Sequence, residues 1–438
     1  MRRAFEFLRS ADLPYLSRVN YRLERSHMLL WGVFAGLVEG DTASIVVGKT
    51  FGGSPLLVTV TAATPMLANM LSLLWGVLIR GRPRKLCFAM LALCGAACLC
   101  SIALTPSDWH PWGGWVFVAQ LALARVFLAG LISVRTSMWR ANYPQTFRAR
   151  IAARLQSLRF LMALLAAAAA ASLFDSGAEL YRIVYPVTGV VAALSLLPMR
   201  RMRVRGERGE LERVRATMAS GGGRGLLDGV RESLAILRRD QQFARYCTAQ
   251  FLLGSAGLVM DAIVKVVVTT EMSLRYITSS ILLEIAPSVV LFLTLPAWAR
   301  YFDAVGVLRF RVINGFVWLG ACVLATLALA LLIVENGWVH HAALWLLLGS
   351  RLLRGAGQSG GAIAWNLGHL HFAREHDADL YMGLHVALTG LRGVLTPFAA
   401  LALYQLWGWT AMLVAIGLGI WGVVLFRRLA DGSAPRAA

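Results

Sequence analysis

The chain of 438 residues contains only three lysines, Lys49, Lys85 and Lys265, and 23 acidic residues against 43 basic ones. Nearly all of the formal net charge of +20 therefore comes from arginine. A basic balance can indicate nucleic-acid binding, but these arginines fall between apolar runs, and no zinc-finger spacing or aromatic RNA-binding motif accompanies them. We therefore expect no nucleic-acid partner.

Motifs for covalent or cofactor chemistry are also missing. No nucleophile elbow, phosphate-cradling glycine loop or nucleotide motif occurs, and the six cysteines lack the paired spacing of a zinc site or a disulfide framework. A glycine-rich stretch, residues 355–361, lies in an apolar run, where glycines favour close helix packing over phosphate binding. We expect no enzyme activity, no cofactor and no metal.

The composition instead indicates a membrane protein. Hydrophobic residues make up 58% of the chain, which is too high for a soluble protein of this length. A membrane-spanning helix needs about 20 mostly apolar residues. Twelve segments satisfy that rule, approximately 27–48, 55–79, 86–104, 114–138, 152–173, 181–198, 244–267, 277–299, 312–334, 341–365, 381–404 and 407–427.

Basic residues predict the orientation of these spans. Arginines crowd the N-terminal segment, the connections after spans 2, 4 and 8, and the C-terminal tail, whereas 105–113, 335–340 and 405–406 contain no lysine or arginine. By the positive-inside rule, the basic connections are cytoplasmic. We expect a multi-pass protein of a bacterial-type inner membrane, monomeric and embedded in the bilayer, with both termini in the cytoplasm.

Two segments outside the spans have apolar residues on one helical face. Before the first span, the chain lacks the apolar core of a cleavable signal peptide, and Pro14, Tyr15, Val19 and Leu23 predict an amphipathic surface helix. Leu227, Val230, Leu234 and Leu237 predict a second such helix, preceded by a solvated linker. The predicted domains are 1–26, an N-terminal six-helix bundle 27–198, a cytoplasmic linker 199–240, a C-terminal six-helix bundle 241–427 and a tail 428–438.

The two halves repeat one another. Similar residues recur at nearly constant offsets: Glu39 with Asp261 and Pro65 with Pro287 at 222, Trp75 with Trp298 at 223, and Arg125 with Arg351 and Trp139 with Trp365 at 226. Two parallel six-helix repeats are a transporter architecture with its site near the midplane. The predicted fold class is therefore all-α, with twelve transmembrane helices in two pseudo-symmetric bundles.

The loops after spans 2 and 8 carry short motifs. Residues 76–85 keep glycines and basic residues, with Arg80 where the pattern Gly-x-x-x-Asp-x-x-Gly-Arg-Arg/Lys has an aspartate. The second copy keeps an aspartate, a glycine and basic residues, and span 4 carries Arg125 followed by Gly130. On these motifs and the twelve spans, the chain resembles the major facilitator superfamily. The resemblance implies gating roles for Arg82, Asp303, Gly306 and Arg309.

Charged residues inside the spans are the candidate substrate and coupling residues. The acids are Glu39, Asp261 and Glu284, and the arginines are Arg125, Arg159, Arg351, Arg354 and Arg392. The resemblance implies that helices 1, 4, 7 and 10 line a central cavity, where acids and arginines would meet. For Glu39, an interhelical ion pair remains an alternative to proton coupling or substrate contact. For Asp261, an intrahelical pair with Lys265 is the favoured interpretation.

Histidines crowd the connection between spans 10 and 11. His369, His371 and His376 lie there with Asp377 and Asp379 at irregular spacings, which favours a solvated hinge over a metal site. His385, one turn into span 11, could relay protons, because imidazole titrates near neutral pH.

The predicted function is secondary active transport of a small polar or anionic solute by alternating access, with proton coupling. The arginines favour an anionic solute, since guanidinium groups bind carboxylate or phosphate through paired hydrogen bonds. A transport-inactive receptor or scaffold on the same fold is the alternative. A second alternative is a membrane enzyme that acts on lipid. The lack of a nucleophile–base pair in the sequence argues against it.

Overall fold

The computed structural model describes residues 13–79, 81–219, 235–334, 336–372 and 378–432. These residues form helices joined by short turns, and no strand occurs among them. The all-α class predicted from the sequence is confirmed. The predicted amphipathic helix around 227–237 lies mostly outside the described residues.

The chain divides into two compact units. Unit 1 comprises Met1–Gly223 together with Arg275–Ser280, and unit 2 comprises Arg224–Leu274 and Ile281–Ala438. The α-helices of unit 1 are α1 (Tyr15–Val38), α2 (Thr42–Lys49), α3 (Pro55–Leu78), α4 (Arg84–Ser101), α5 (Trp112–Asn142), α6 (Gln145–Ser176), α7 (Tyr181–Leu194), α8 (Leu196–Arg200), α9 (Glu207–Ala219) and α11 (Tyr276–Ser280). Those of unit 2 are α10 (Gln241–Val266), α12 (Ala286–Leu331), α13 (Gly337–Leu367), α14 (Ala378–Trp407) and α15 (Met412–Gly432).

The first predicted span, 27–48, is not one continuous helix. Helix α1 begins at Tyr15, so the expected surface helix and the start of the span are a single helix, and it ends at Val38. Helix α2 begins at Thr42, bent by 40° from α1. Gly40 and Asp41 are weak helix formers, which accounts for a break at this place.

Helix α12 contains most of two predicted spans, 277–299 and 312–334. Its 46 residues are interrupted at Gly306, whose backbone has φ of 72° and ψ of 168°. Residues with a side chain rarely adopt a positive φ, so a glycine is needed at this turn. The glycine that the sequence motif predicted is therefore the hinge between the two helical parts.

Equivalent helices pack together in the two units. In unit 1, α1 packs on α6 and α7, and α5 packs on α3 and α4. In unit 2, α10 packs on α14 and α15, and α12 packs on α13. These are the same pairs when the units are aligned by the offsets of the sequence repeat.

Glycines allow α1 to approach α6 closely. A Cβ atom built on Gly32 would lie 2.5 Å from the Cβ of Met162, and one built on Gly36 would lie 3.0 Å from the Cα of Ala163. Gly32 and Gly36, four residues apart on one face of α1, therefore set the separation of α1 and α6.

We predict that Gly36→Leu lowers the thermal unfolding midpoint of the purified protein by several degrees, because the leucine side chain meets the α6 backbone. Overpacking of this kind costs about 1–3 kcal/mol. The matched control is Gly417→Leu in α15, where a Cβ meets no atom within 4 Å. Equal midpoints for the two variants would show that the α1–α6 contact is not tight.

Candidate functional site

Arg125 on α5 lies at the break between α1 and α2. Its side chain is 3% exposed. Its Nε donates to the carbonyl oxygen of Val38 at 2.7 Å, and its Nη1 donates to the carbonyl oxygen of Thr61 at 2.7 Å and to the Thr64 hydroxyl. The guanidinium therefore connects the end of α1 to the middle of α3.

Both backbone carbonyls that Arg125 binds lie where a helix is interrupted. Val38 is the last residue of α1, where carbonyls lose their helical donors. Thr61 lies four residues before Pro65, which has no N–H to donate to it. One arginine thus satisfies carbonyls that the break and the proline leave without helical donors.

The equivalent arginine of unit 2, Arg351 on α13, binds a carboxylate instead. It is completely buried, and its Nη1 donates to Oδ1 of Asp261 on α10 at 2.8 Å. Arg354 lies one turn further along α13, and its Nε donates to Oδ1 and Oδ2 of Asp261 at 2.6 and 2.9 Å. Its Nη1 also donates to Gln358 at 3.1 Å. The family resemblance implied that acids and arginines of these helices meet, and Arg351 and Arg354 both bind Asp261. Lys265, the partner favoured from the sequence, also acts electrostatically on Asp261.

Glu39, the counterpart of Asp261, is directed elsewhere. It forms an ion pair with Arg159 on α6, and Arg159 Nε also donates to Gln156 at 2.7 Å. The side chain of Glu39 is 32% exposed and that of Arg159 is 20% exposed. The interhelical ion pair left open from the sequence is present, and its carboxylate is accessible to water.

Two further predicted residues, Arg392 and His385, lie apart from the Asp261 cluster. Arg392 on α14 donates from Nη1 to the Gln250 carbonyl at 2.7 Å, about 16 Å along α10 from Asp261 at 1.5 Å per residue. His385 on α14 lies with its ring centroid 6.4 Å from that of Tyr246 and 5.9 Å from that of Trp365. Glu284 is half-buried in a π-helical turn, Ile281–Ile285. The structure does not bring Arg392 and His385 into one site with Asp261, whereas the turn that carries Glu284 contacts α13, the helix of Arg351 and Arg354.

The predicted gating residues are mostly at the surface. Arg82, Asp303 and Arg309 are exposed, and Gly306 is the hinge described above. Arg80 lies outside the described residues.

A helix in the linker holds the loop between α3 and α4. Glu207 of α9 accepts from the backbone N–H of Arg84, the first residue of α4, at 2.7 Å, and Glu210 pairs with the Arg84 side chain. Arg215 donates to the Gly81 carbonyl at 3.1 Å. A carboxylate at a helix N-terminus is favoured by the free N–H groups and the helix dipole. The expected solvated linker is thus helical at Glu207–Ala219 and packed against the bundle.

Beneath α9 lies a cavity of about 220 Å³. Trp75 and Ser133 line it from α3 and α5, and Leu211 and Val214 line it from α9. It is separate from the Asp261 cluster, since it lies wholly in unit 1.

A buried carboxylate near the start of α1 was not among the candidates from sequence. Glu24 is 1% exposed and accepts from Trp139 Nε1 at 2.9 Å and from the Tyr143 hydroxyl at 2.7 Å. Burial, and then the charge of Glu24, raise the pKa of Tyr143 well above its usual value, so the phenol remains a donor. The sequence did contain one sign of this site, because Trp139, which binds Glu24, recurs in the second half as Trp365.

The histidine-rich connection is described only in part. His369 is buried and His371 is exposed, whereas His376 and Asp377 lie outside the described residues. Over the described ranges, no group of three or more histidine, cysteine, aspartate or glutamate residues could hold a metal ion.

Solved structures with the same fold are transporters. A point mutant of the nucleoside transporter NupG superposes with a TM-score of 0.70 at 13% identity, covering 94% of this chain and 99% of that one. The xylose transporter XylE from E. coli gives 0.63 at 15% identity, covering 93% and 95%. A POT family transporter in complex with 5-aminolevulinic acid gives 0.60 at 12% identity, covering 95% and 96%.

These neighbours confirm the fold that the sequence resemblance implied. No protein-family model matches the chain, and no curated protein matches it by sequence. The chain is a multi-pass membrane protein with a transporter fold.

We predict that the cost of Arg125→Leu depends on Pro65. In the natural background the substitution removes this donor from the Val38 carbonyl, at about 1–3 kcal/mol, and leaves the Thr61 carbonyl with only the Thr64 hydroxyl, which donates to it at 2.8 Å. In a Pro65→Ala background the new N–H reaches Thr61, and the cost falls by about 1 kcal/mol. Unfolding in mixed detergent micelles measures both.

The control background is Pro397→Ala, in α14 of unit 2. There, the cost of Arg125→Leu should equal that in the natural background. An equal cost in all three backgrounds would contradict the role given to the Thr61 carbonyl.

Proposed function

We propose that the protein is a secondary active transporter that moves a small polar or anionic solute across the membrane by alternating access, coupled to protons. The observation that carries this proposal is the likeness to solved transporters over 93% or more of the chain. Among those neighbours are a nucleoside transporter and a D-xylose-proton symporter, whose solutes are small and polar.

Twelve spans fit the helices of the structure. Seven described segments are long and apolar enough to cross a membrane, and two of them, Tyr276–Leu331 and Tyr381–Gly432, have 56 and 52 residues, twice the usual span. The bent pair α1 and α2, helix α3, and helix α13 with its two arginines supply three more, giving 7 + 2 + 3 = 12. With basic connections on the cytoplasmic side, both termini face the cytoplasm of a bacterial-type cell.

The buried charges support a polar or anionic solute. Arg351 and Arg354 place two guanidinium groups beside one carboxylate on α10. Guanidinium groups bind carboxylate and phosphate through paired hydrogen bonds, and intramembrane charges of this kind mark solute pathways.

Glu39 is the stronger candidate for proton coupling. Asp261 is held by two arginines and is 12% exposed at its side chain, whereas Glu39 has one ion pair and is 32% exposed. Glu39 can therefore exchange a proton with water, and its protonation would release Arg159. Such a polar contact is the kind of two-state element that alternating access requires.

The test is solute uptake into proteoliposomes with and without an inward proton gradient. The panel contains a nucleoside, xylose, 5-aminolevulinic acid, inorganic phosphate and succinate. We expect gradient-stimulated uptake of at least one solute. No uptake or exchange of any of them would favour a receptor or scaffold, and turnover of the vesicle lipids would favour an enzyme.

We predict that Glu39→Gln abolishes stimulation by the proton gradient while exchange of solute across the membrane continues, because glutamine cannot carry the proton. Arg300→Gln, which removes an exposed arginine of α12, is the control and should retain both activities. Continued gradient stimulation in Glu39→Gln would refute the coupling role of this residue.

A further inference from the structure

Unit 2 contains a second group of buried cationic side chains, Arg311 on α12 with His385 and Arg392 on α14. We refer to these three residues as the basic cluster. They are 3%, 2% and 8% exposed. Aromatic rings connect Arg311 to His385: the Arg311 guanidinium lies over the Phe426 ring, whose centroid is 5.7 Å from that of Tyr246, and the Tyr246 centroid lies 6.4 Å from that of His385. Arg392 binds the carbonyl of Gln250, one turn after Tyr246 on α10.

Each side chain of the basic cluster has a nitrogen that makes no hydrogen bond. Arg392 uses Nη1 on the Gln250 carbonyl, and Arg311 uses Nη1 on Asn314 at 3.5 Å, while its guanidinium lies 5.2 Å from the Phe426 ring centroid. Within the described part of the chain, Arg311 Nε, Arg392 Nε and His385 Nε2 are buried without a partner. Three nitrogens of neighbouring cationic or titratable residues are thus available to an acceptor.

Among the side chains that the structure describes, no carboxylate forms an ion pair with Arg311 or Arg392. The other groups near the cluster are His369, which also acts on His385, and the Tyr246 phenol, which interacts with Arg311. A buried guanidinium without a counter-charge is costly, and in membrane segments such charges mark binding sites or pathways. Arg351 and Arg354 differ from the basic cluster in this respect, because both bind the Asp261 carboxylate.

The repeat shows which group unit 1 has at the equivalent place. Tyr246 lies 246 − 24 = 222 positions after Glu24, the offset that relates Glu39 to Asp261. In unit 1, the buried Glu24 carboxylate lies beside Trp139 and acts electrostatically on the buried Arg135. In unit 2, the equivalent Tyr246 and Trp365 both lie against His385, and a phenol stands where unit 1 has a carboxylate.

We infer that the basic cluster binds the carboxylate or phosphate group of an external anion, which occupies the role that Glu24 has in unit 1. Arg311 and Arg392 donate charge-assisted hydrogen bonds to its oxygens, and His385 donates from Nε2. The anion is either a free solute or the headgroup of an anionic lipid. As part of a solute pathway the inference rests on the proposed function, whereas binding itself does not.

The test measures equilibrium binding of inorganic phosphate and of succinate to the purified full-length protein in phosphatidylcholine nanodiscs, at constant ionic strength. We expect saturable binding of at least one probe at millimolar concentrations. Arg311→Gln and Arg392→Gln should each weaken it at least about tenfold, and Arg300→Gln should leave it unchanged.

Tyr246→Glu keeps the test informative if the arginine variants fail to fold. It supplies the carboxylate that unit 1 contains, so we expect loss of anion binding together with an equal or higher unfolding midpoint. Tyr246→Gln, which has no charge, should bind the probe. Retained binding in Tyr246→Glu with a lowered midpoint would overturn the inference, and so would no saturable binding to the natural protein.

Nanodiscs containing phosphatidylglycerol separate the two sources of the anion. Competition between this lipid and the probe identifies a headgroup site, and no competition identifies a solute site; either supports the inference. Anion binding without uptake in proteoliposomes would count against the transport function alone, and uptake without anion binding would count against this inference alone.

Discussion

The burial of arginine between helices is the constraint on which the rest of this structure depends. A guanidinium group cannot be left without acceptors or a counter-charge in an apolar interior, except at considerable cost. In each unit, an arginine at the same repeat position reaches the first helix of that unit, Arg125 in unit 1 and Arg351 in unit 2. The acceptors are backbone carbonyls in unit 1 and a carboxylate in unit 2, and this difference determines where the other charged residues of each unit lie.

Unit 1 supplies backbone carbonyls and unit 2 supplies a carboxylate. The break after Val38 and the proline at position 65 expose carbonyls for Arg125, which leaves Glu39 available to Arg159. Helix α10 has no such break from Gln241 to Val266, and Asp261 serves both Arg351 and Arg354. One repeat thus retains a water-accessible acid, while the other holds its acid between two arginines.

Sequence reasoning predicted the all-α class and the repeat, because apolar run length and repeat offsets can be read from the sequence alone. The meeting of Arg351 and Arg354 with Asp261 was implied only by the resemblance to a known family. Sequence reasoning did not predict the carbonyl partners of Arg125, since these depend on where α1 ends. It also missed α9, whose charged residues are typical of a solvated linker, although Glu207 binds the start of α4. Glu24 was missed because the sequence predicted an amphipathic surface helix at this place. The Glu24 carboxylate is instead buried against Trp139 and Tyr143.

The most direct measurement of this account compares the unfolding midpoints of Asp261→Asn, Arg354→Gln and the double variant. Asp261→Asn removes the carboxylate that Arg351 and Arg354 share, so we predict that it is the least stable of the three. Removing Arg354 as well should recover part of the loss. A double variant less stable than Asp261→Asn, by the full cost of Arg354→Gln alone, would contradict the claim that charge compensation organises this site.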